Sequence, residues 1–199
     1  MKIYLLRHGE TAWNEERRIQ GQTDVSLNDT GFFQAQATKK YFDDIKLDAV
    51  YTSTLQRAIQ TAEIVTGMKY PIKKFSDLNE RDFGNWQTRL WDEIYIEIPD
   101  LRERWKREGI KFTPENGESL ESLISRSQRR FVQIIDSHIY GENILISCHG
   151  GPLKAMVGYV YETPWEDIPD VVNLDNCSIT LIENEKGMLS IPVVNKFVY

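Results

Sequence analysis

The chain has 199 residues, with 24 Lys+Arg against 30 Asp+Glu, three His and two Cys. A hydrophobic share of 41% and an aromatic share of 11% exclude a disordered chain, and the length suits one domain, or one domain with a small cap. The net charge of −6 argues against sequence-independent nucleic-acid binding and, at first reading, against an anionic ligand.

In chain order, residues 2–7 read as a buried strand, a short apolar run closed by Gly9. Residues 28–42 read as a helix capped by Asn28 or Asp29, with Phe32, Ala35 and Phe42 as core positions and Gly31 as a poor helix former in its first turn. Residues 47–51 form a second strand. Ser53 or Thr54 then caps a helix whose apolar face is Leu55, Ala58, Ala62 and Val65, ended by Gly67. Residues 71–75 are a third, weaker strand. The stretch 77–117 breaks the pattern, with Trp86, Trp91 and Trp105, many charges and two prolines. It reads as a lid, a loop with short helices at 90–98 and 101–108. The longest helix covers 118–140, where Leu120, Leu123, Ile124, Phe131, Ile134 and Ile135 recur at helical spacing. A strand at 143–147, a helix at 152–161 with Pro152 at its start, and strands at 177–183 and 189–197 around Glu185-Lys186-Gly187 close the chain.

Strands alternating with helices imply an α/β fold, a three-layer α/β/α sandwich with a mixed, mostly parallel sheet whose last two strands pair as a hairpin. The absence of repeats and linkers points to a single domain over 1–199, with 77–117 as a small lid insertion. The apolar runs fall short of a membrane span, and the N-terminus lacks a signal-peptide core. Cys148 and Cys177 cannot make a disulfide framework. The expectation is a cytoplasmic protein without a membrane or nucleic-acid partner, monomer or dimer.

Two of the three histidines share one setting. His8-Gly9 follows the first strand and His149-Gly150-Gly151 follows the strand at 143–147. In open α/β sheets ligands bind outside the carboxyl ends of the strands, so both imidazoles belong in one crevice. Gly150 and Gly151 lead into a helix whose N-terminus favours an anion. Arg7 adjoins His8, and Arg57 lies near the start of the helix after the second strand; a guanidinium fork suits phosphate. The ligand these groups fit is a phosphoryl group. His138, on the apolar stripe with Phe131, Ile134 and Ile135, reads instead as a structural residue at a helix end.

The segment Arg7-His8-Gly9-Glu10-Thr11-Ala12-Trp13-Asn14 resembles the signature of the histidine phosphatase superfamily, in its phosphoglycerate-mutase-like branch. The likeness continues through Arg18-Ile19-Gln20-Gly21, Ser53-x-Leu55-x-Arg57-Ala58-x-x-Thr61-Ala62 and Leu78-Asn79-Glu80-x-Asp82-Phe83-Gly84-x-Trp86. Gly117-Glu118-Ser119 and Ser147-x-His149-Gly150-Gly151 complete it. The resemblance implies a phosphoglycerate-mutase-like fold and a phosphomonoesterase acting on small phosphorylated metabolites. It assigns His8 as the nucleophile that forms a phosphohistidine. Arg7, Arg57 and His149 surround the phosphoryl oxygens, and Asn14, Gln20, Gly21 and Gly150 complete the phosphate pocket. Glu80 protonates the leaving oxygen and then deprotonates water. No cofactor and no metal is expected. As an acid Glu80 must hold its proton, which burial beneath Phe83 and Trp86 and a nearby substrate phosphate favour and Arg81 opposes. The two imidazoles should titrate as a coupled set.

After Trp86 many phosphatases of this family carry Glu-Gly, where this chain has Gln87-Thr88. Asn79-Glu80-Arg81 has some likeness to the mutase version of the block, so a 2,3-bisphosphoglycerate-dependent phosphoglycerate mutase is the enzymatic rival. Against it, the lid is short and lacks a clear adjacent Arg pair for a second phosphate. A cysteine phosphatase needs Arg six residues after the Cys, but Lys154 stands at that distance from Cys148. A zinc site of His8, His149 and Cys148 or Glu80 has no close ligand pair at metal spacing. An inactive phosphate-binding module is the non-enzymatic reading, and the retention of His8, Arg57, Glu80 and His149 speaks against it. Trp86, Trp91 and Trp105 read as the lid's own core rather than a substrate platform.

Overall fold

The computed structural model describes residues 1–198. Its sheet has six strands in the order β3-β2-β4-β1-β5-β6, formed by β1 (Lys2–Arg7), β2 (Ala49–Thr52), β3 (Ile72–Lys74), β4 (Asn143–Cys148), β5 (Ile179–Glu185) and β6 (Met188–Lys196). The first four in this order run parallel, and β5 is antiparallel to both β1 and β6, so the sheet is mixed. Helices α2 (Asp29–Phe42) and α3 (Gln56–Thr66) pack on one face, and α6 (Leu120–Asp136) and α7 (Gly150–Val160) on the other. A short α1 (Ala12–Glu15) follows β1, and α4 (Trp91–Glu97) and α5 (Leu101–Glu108) belong to the lid.

The sheet is covered on both sides, which accounts for the continuous apolar runs of its central strands. In β1, Ile3 and Leu5 enter the core beneath α6 and α7, while Tyr4 and Leu6 enter the core beneath α2 and α3. Ile144 and Ile146 of β4 face the first core and Leu145 the second. Alternation along a strand thus feeds two cores, which makes the three layers.

Asn28 caps α2, accepting a bond from the Gly31 amide at 2.8 Å. The glycine is required there because a Cβ would lie 2.1 Å from the Glu10 carbonyl. Phe32, expected in the core, is 43% exposed; Ala35 and Phe42 face inward as expected. Neither Ser53 nor Thr54 caps α3: the cap position is Leu55, and both hydroxyls are engaged elsewhere. The longest helix is shorter than the expected 118–140, beginning after the Ser119 cap and ending at Asp136, and it contains every apolar position of the pattern from Leu120 to Ile135. His138 lies beyond that end and is structural, with Nδ1 bonded to Glu142 at 2.6 Å and Nε2 to the Tyr51 hydroxyl at 2.8 Å. The lid aromatics pack on each other: Trp86 lies 5.7 Å from Phe112, and Trp105 lies 6.0 Å from Trp91. They form a separate cluster with Ile19, Ile94 and Leu101.

Candidate active site

The carboxyl ends of β1 and β4 are neighbours in register, Arg7 opposite Cys148, and the next residues are His8 and His149. The His8 amide donates to the Cys148 carbonyl at 3.0 Å, and the two imidazole centroids stand 5.1 Å apart. Both rings are buried. Their hydrogen bonds define opposite tautomers. His8 Nδ1 lies 2.7 Å from the Gly9 carbonyl, which can only accept, so the proton sits on Nδ1 and Nε2 keeps its lone pair. His149 Nδ1 accepts from Arg57 Nε at 3.2 Å, so its proton sits on Nε2 and is donated to Ser53 Oγ at 2.8 Å.

Arg57 is the largest fully buried side chain among the described residues. It also donates through its two terminal nitrogens to the Gly21 carbonyl at 2.7 Å and the Thr23 carbonyl at 2.8 Å. Burial pushes its pKa down to about 10, which leaves it a cation at neutral pH. Burial first, then the Arg57 and Arg7 charges, hold His8 well below the usual histidine range. His149 is lowered in the same way, by burial, Arg57 and His8.

These directions give a pH dependence. Unfolding returns both imidazoles to their ordinary value near 6.5. Below that pH the unfolded chain binds protons that the folded chain does not, so acid favours unfolding. Stability is therefore expected to fall as pH drops from about 6.5 towards the folded-state values, by up to about 1.4 kcal/mol per pH unit for each histidine. Urea melts between pH 5.5 and 7.5 measure this. The same slope in a His8→Ala, His149→Gln variant would show that other groups cause it.

Arg7 projects from the end of β1 and donates to the Leu174 carbonyl at 2.6 Å. Asn14 closes the capping box of α1, its Oδ1 accepting from the Thr11 amide and hydroxyl, both at 3.1 Å. Gln20 carries a buried side-chain oxygen without a hydrogen-bond partner among the described residues. Gly21 contributes its carbonyl to Arg57, and Gly150 opens α7 directly after His149.

Glu80 is half-buried and reaches the same edge from the loop that opens the lid. Its carboxylate accepts from the Arg81 amide at 2.9 Å and the Gly151 amide at 3.2 Å. A Cβ on Gly151 would lie 2.4 Å from that carboxylate, so glycine is needed for the approach. The expected burial beneath Phe83 and Trp86 is not what holds Glu80, because those rings turn into the lid's own cluster. Cys148 is fully buried and its thiol is pushed up by burial, so it packs as an apolar residue; Cys177 is pushed up to about 12 for the same reason.

Sequence reasoning missed Ser53, which it read as a helix cap, and Asn176, whose side chain donates to the His8 carbonyl at 2.9 Å. Asn176 carries no local signal, since only the fold brings it to His8.

Gln87 accepts from the Gln22 amide at 2.5 Å, and Gln22 Nε2 donates to the Glu80 carbonyl at 3.2 Å, so the lid buttresses both the 20–23 loop and the acid segment. Thr88 has φ +75°, in the region that suits glycine and strains a β-branched residue. Thr88→Gly is expected to stabilise the protein by about 1 kcal/mol, because relieved strain exceeds the added chain entropy. A thermal melt checks this, and a lower melting temperature would contradict it.

A family model described as histidine phosphatase superfamily, branch 1, matches residues 3–196. The chain belongs to that superfamily. The uncharacterized phosphatase PhoE of Bacillus subtilis is 36% identical over 156 residues, covering 78% of this chain and 75% of the relative. A 2,3-bisphosphoglycerate-dependent phosphoglycerate mutase of Lachnoclostridium phytofermentans is 30% identical over 207 residues, covering 86% and 82%. The solved structure of Bacillus stearothermophilus YhfR superposes with a TM-score of 0.88 at 34% identity, over 98% of this chain and 96% of that one. The histidine phosphatase chain is thus a phosphatase-family enzyme. No helix among its described residues is long and apolar enough to cross a membrane.

Proposed function

We propose that this histidine phosphatase is a metal-independent phosphomonoesterase that hydrolyses small phosphorylated metabolites, built as one domain with 77–117 as its lid. The observation that carries the reading is the tautomer of His8, whose proton is tied to the Gly9 carbonyl. The Nε2 lone pair attacks phosphorus while the bond from phosphorus to the ester oxygen breaks, and Glu80 gives that oxygen its proton. Water then attacks the phosphohistidine, its proton passes to Glu80, and the P–N bond breaks with its electron pair returning to Nε2. Arg7, Arg57 and His149 stabilise the equatorial oxygens, and Asn14, Gln20, Gly21 and Gly150 shape the phosphate pocket. The free, buried cysteines suit a reducing cytoplasm.

The identity to a mutase favours the rival reading, in which a phosphorylated acceptor replaces water. The adjacent pair Arg129-Arg130 does not supply the second phosphate site, since both guanidinium groups lie on Asp77, at 3.8 and 2.6 Å. The deciding assay measures phosphate release from an aryl phosphate in chelator, and from a phosphometabolite panel with and without a bisphosphoglycerate primer. Release without primer is expected. Transfer that depends on the primer would favour the mutase. Glu80→Gln should lower kcat/KM by about 10²-fold for alkyl phosphates and far less for nitrophenyl phosphate, which needs no acid. Equal slowing would remove Glu80 as the leaving-group acid.

A further inference from the structure

The block Gly117-Glu118-Ser119 has no chemical part in the reading above, and neither does Arg126, one of several arginines on α6. The structure joins them. Glu80 sits near the start of the lid, in an irregular segment between two 3-10 turns (Ser76–Leu78 and Gly84–Trp86), so no helix or strand ladder fixes its backbone. Instead, three carbonyls of this segment converge on one guanidinium. Arg126 donates to the Asp77 carbonyl at 2.8 Å, the Asn79 carbonyl at 2.7 Å and the Glu80 carbonyl at 3.0 Å.

The charge of that guanidinium is met by Glu118 in a two-point pair, at 2.7 and 2.8 Å, with both side chains largely buried. Arg126 holds the Glu118 carboxyl below the usual carboxylate range against the effect of burial. Glu118 binds the far side of the same segment: its amide donates to the Asp82 carbonyl at 2.8 Å, and its carboxylate accepts from the Asp82 amide at 3.3 Å. Its own carbonyl accepts from Arg81 Nε at 2.9 Å. Glu80 is therefore pinned through the main chain on both sides. The cation binds carbonyl oxygens of the loop, which sets where the Glu80 side chain starts while the Glu118 carboxylate meets its charge.

We infer that Arg126, with Glu118 as its counter-ion, is a positioning residue for the acid–base carboxyl of Glu80. The inference rests on the proposed role of Glu80. A planar fork is needed, because an ammonium at one point cannot serve three carbonyls and a carboxylate together. Misplacing a catalytic group by about 1 Å costs on the order of 10²-fold.

The test compares kcat/KM for an alkyl phosphate and for nitrophenyl phosphate, which reports the steps through phosphorylation of His8. Arg126→Lys is expected to lower the alkyl value by about 30-fold or more and the nitrophenyl value by less than about threefold. In a Glu80→Gln background the same substitution should add nothing for either substrate. Equal slowing of both substrates by Arg126→Lys, or an undiminished effect in the Glu80→Gln background, overturns the inference. Glu118→Gln is the second variant should Arg126→Lys fail to fold, and the same pattern is expected of it. If Glu80→Gln alone slows both substrates equally, the acid role itself fails and the inference falls with it. That result is distinguishable, because it appears in the single variant.

Discussion

His8→Ala is expected to lower turnover of every phosphomonoester by about 10⁴-fold or more, and to abolish the acid-labile phosphoenzyme entirely. The size of the effect follows from the position of the ring. His8 stands at the end of a central strand with both faces of the sheet covered, and its backbone is tied to Cys148 and Asn176. Its Nδ1 proton is committed to Gly9, so Nε2 is the one lone pair the ring can offer. Burial and two arginine charges disfavour the imidazolium, so the nucleophile stays uncharged below the pH at which an ordinary histidine would protonate. His149 cannot take over, because its Nδ1 lone pair is used by Arg57. Rapid quench with labelled substrate, followed by acid and alkali treatment, measures the intermediate. A labelled, acid-labile adduct persisting in His8→Ala would place the nucleophile elsewhere.

Arg57→Lys is expected to cost about 10³-fold in kcat while the chain still folds. A guanidinium has five N–H donors, and Arg57 directs one from each nitrogen to protein acceptors: His149, the Thr23 carbonyl and the Gly21 carbonyl. These three contacts leave two donors unused, one on each terminal nitrogen, and a guanidinium N–H suits a phosphoryl oxygen. Lysine keeps the charge but cannot make these contacts, so the His149 tautomer loses its partner and the 21–23 loop loses its tie. Each carbonyl left without a donor costs about 1–3 kcal/mol, so the urea midpoint should fall as well. Steady-state kinetics on protein shown by circular dichroism to be folded separates the two effects. A kcat within about tenfold of the native enzyme would mean that charge alone suffices at this position.

Parts of this site are legible in the sequence for a physical reason. His8 and His149 each follow a short apolar run and precede glycine, and a strand buried on both faces has to be such a run. Arg57 is legible through its place after β2 and through the block that contains it. Glu80 is legible only by resemblance, since its neighbours carry no periodic signal. The lid helix Leu101–Glu108 was readable to the residue, because it is bounded by Asp100 and Gly109. Ser53 departs from the pattern because a hydroxyl before a helix ordinarily caps it, whereas here His149 engages the Oγ. Phe32 departs from it too, since its spacing fits the inner stripe of α2, yet the helix turns it outward. Arg126 shares its helix with Arg129 and Arg130, and nothing local distinguishes the guanidinium that holds the acid segment from those that hold Asp77.

The net charge of −6 averages over the whole surface and is silent about one crevice. By itself the sequence determined which runs become central strands, and so which residues stand at their carboxyl ends, because burial on both faces demands a short apolar segment wherever it occurs. Only the tertiary structure decided the protonation chemistry. The proton on His8 Nδ1 is set by the carbonyl of the adjacent Gly9 once the fold has buried the pair, whereas the opposite tautomer of His149 and the three committed donors of Arg57 are set by partners elsewhere in the chain, one of them 92 residues away. Burial and hydrogen bonding between such distant groups fix which nitrogen keeps a lone pair, and no local pattern of residues encodes those distances.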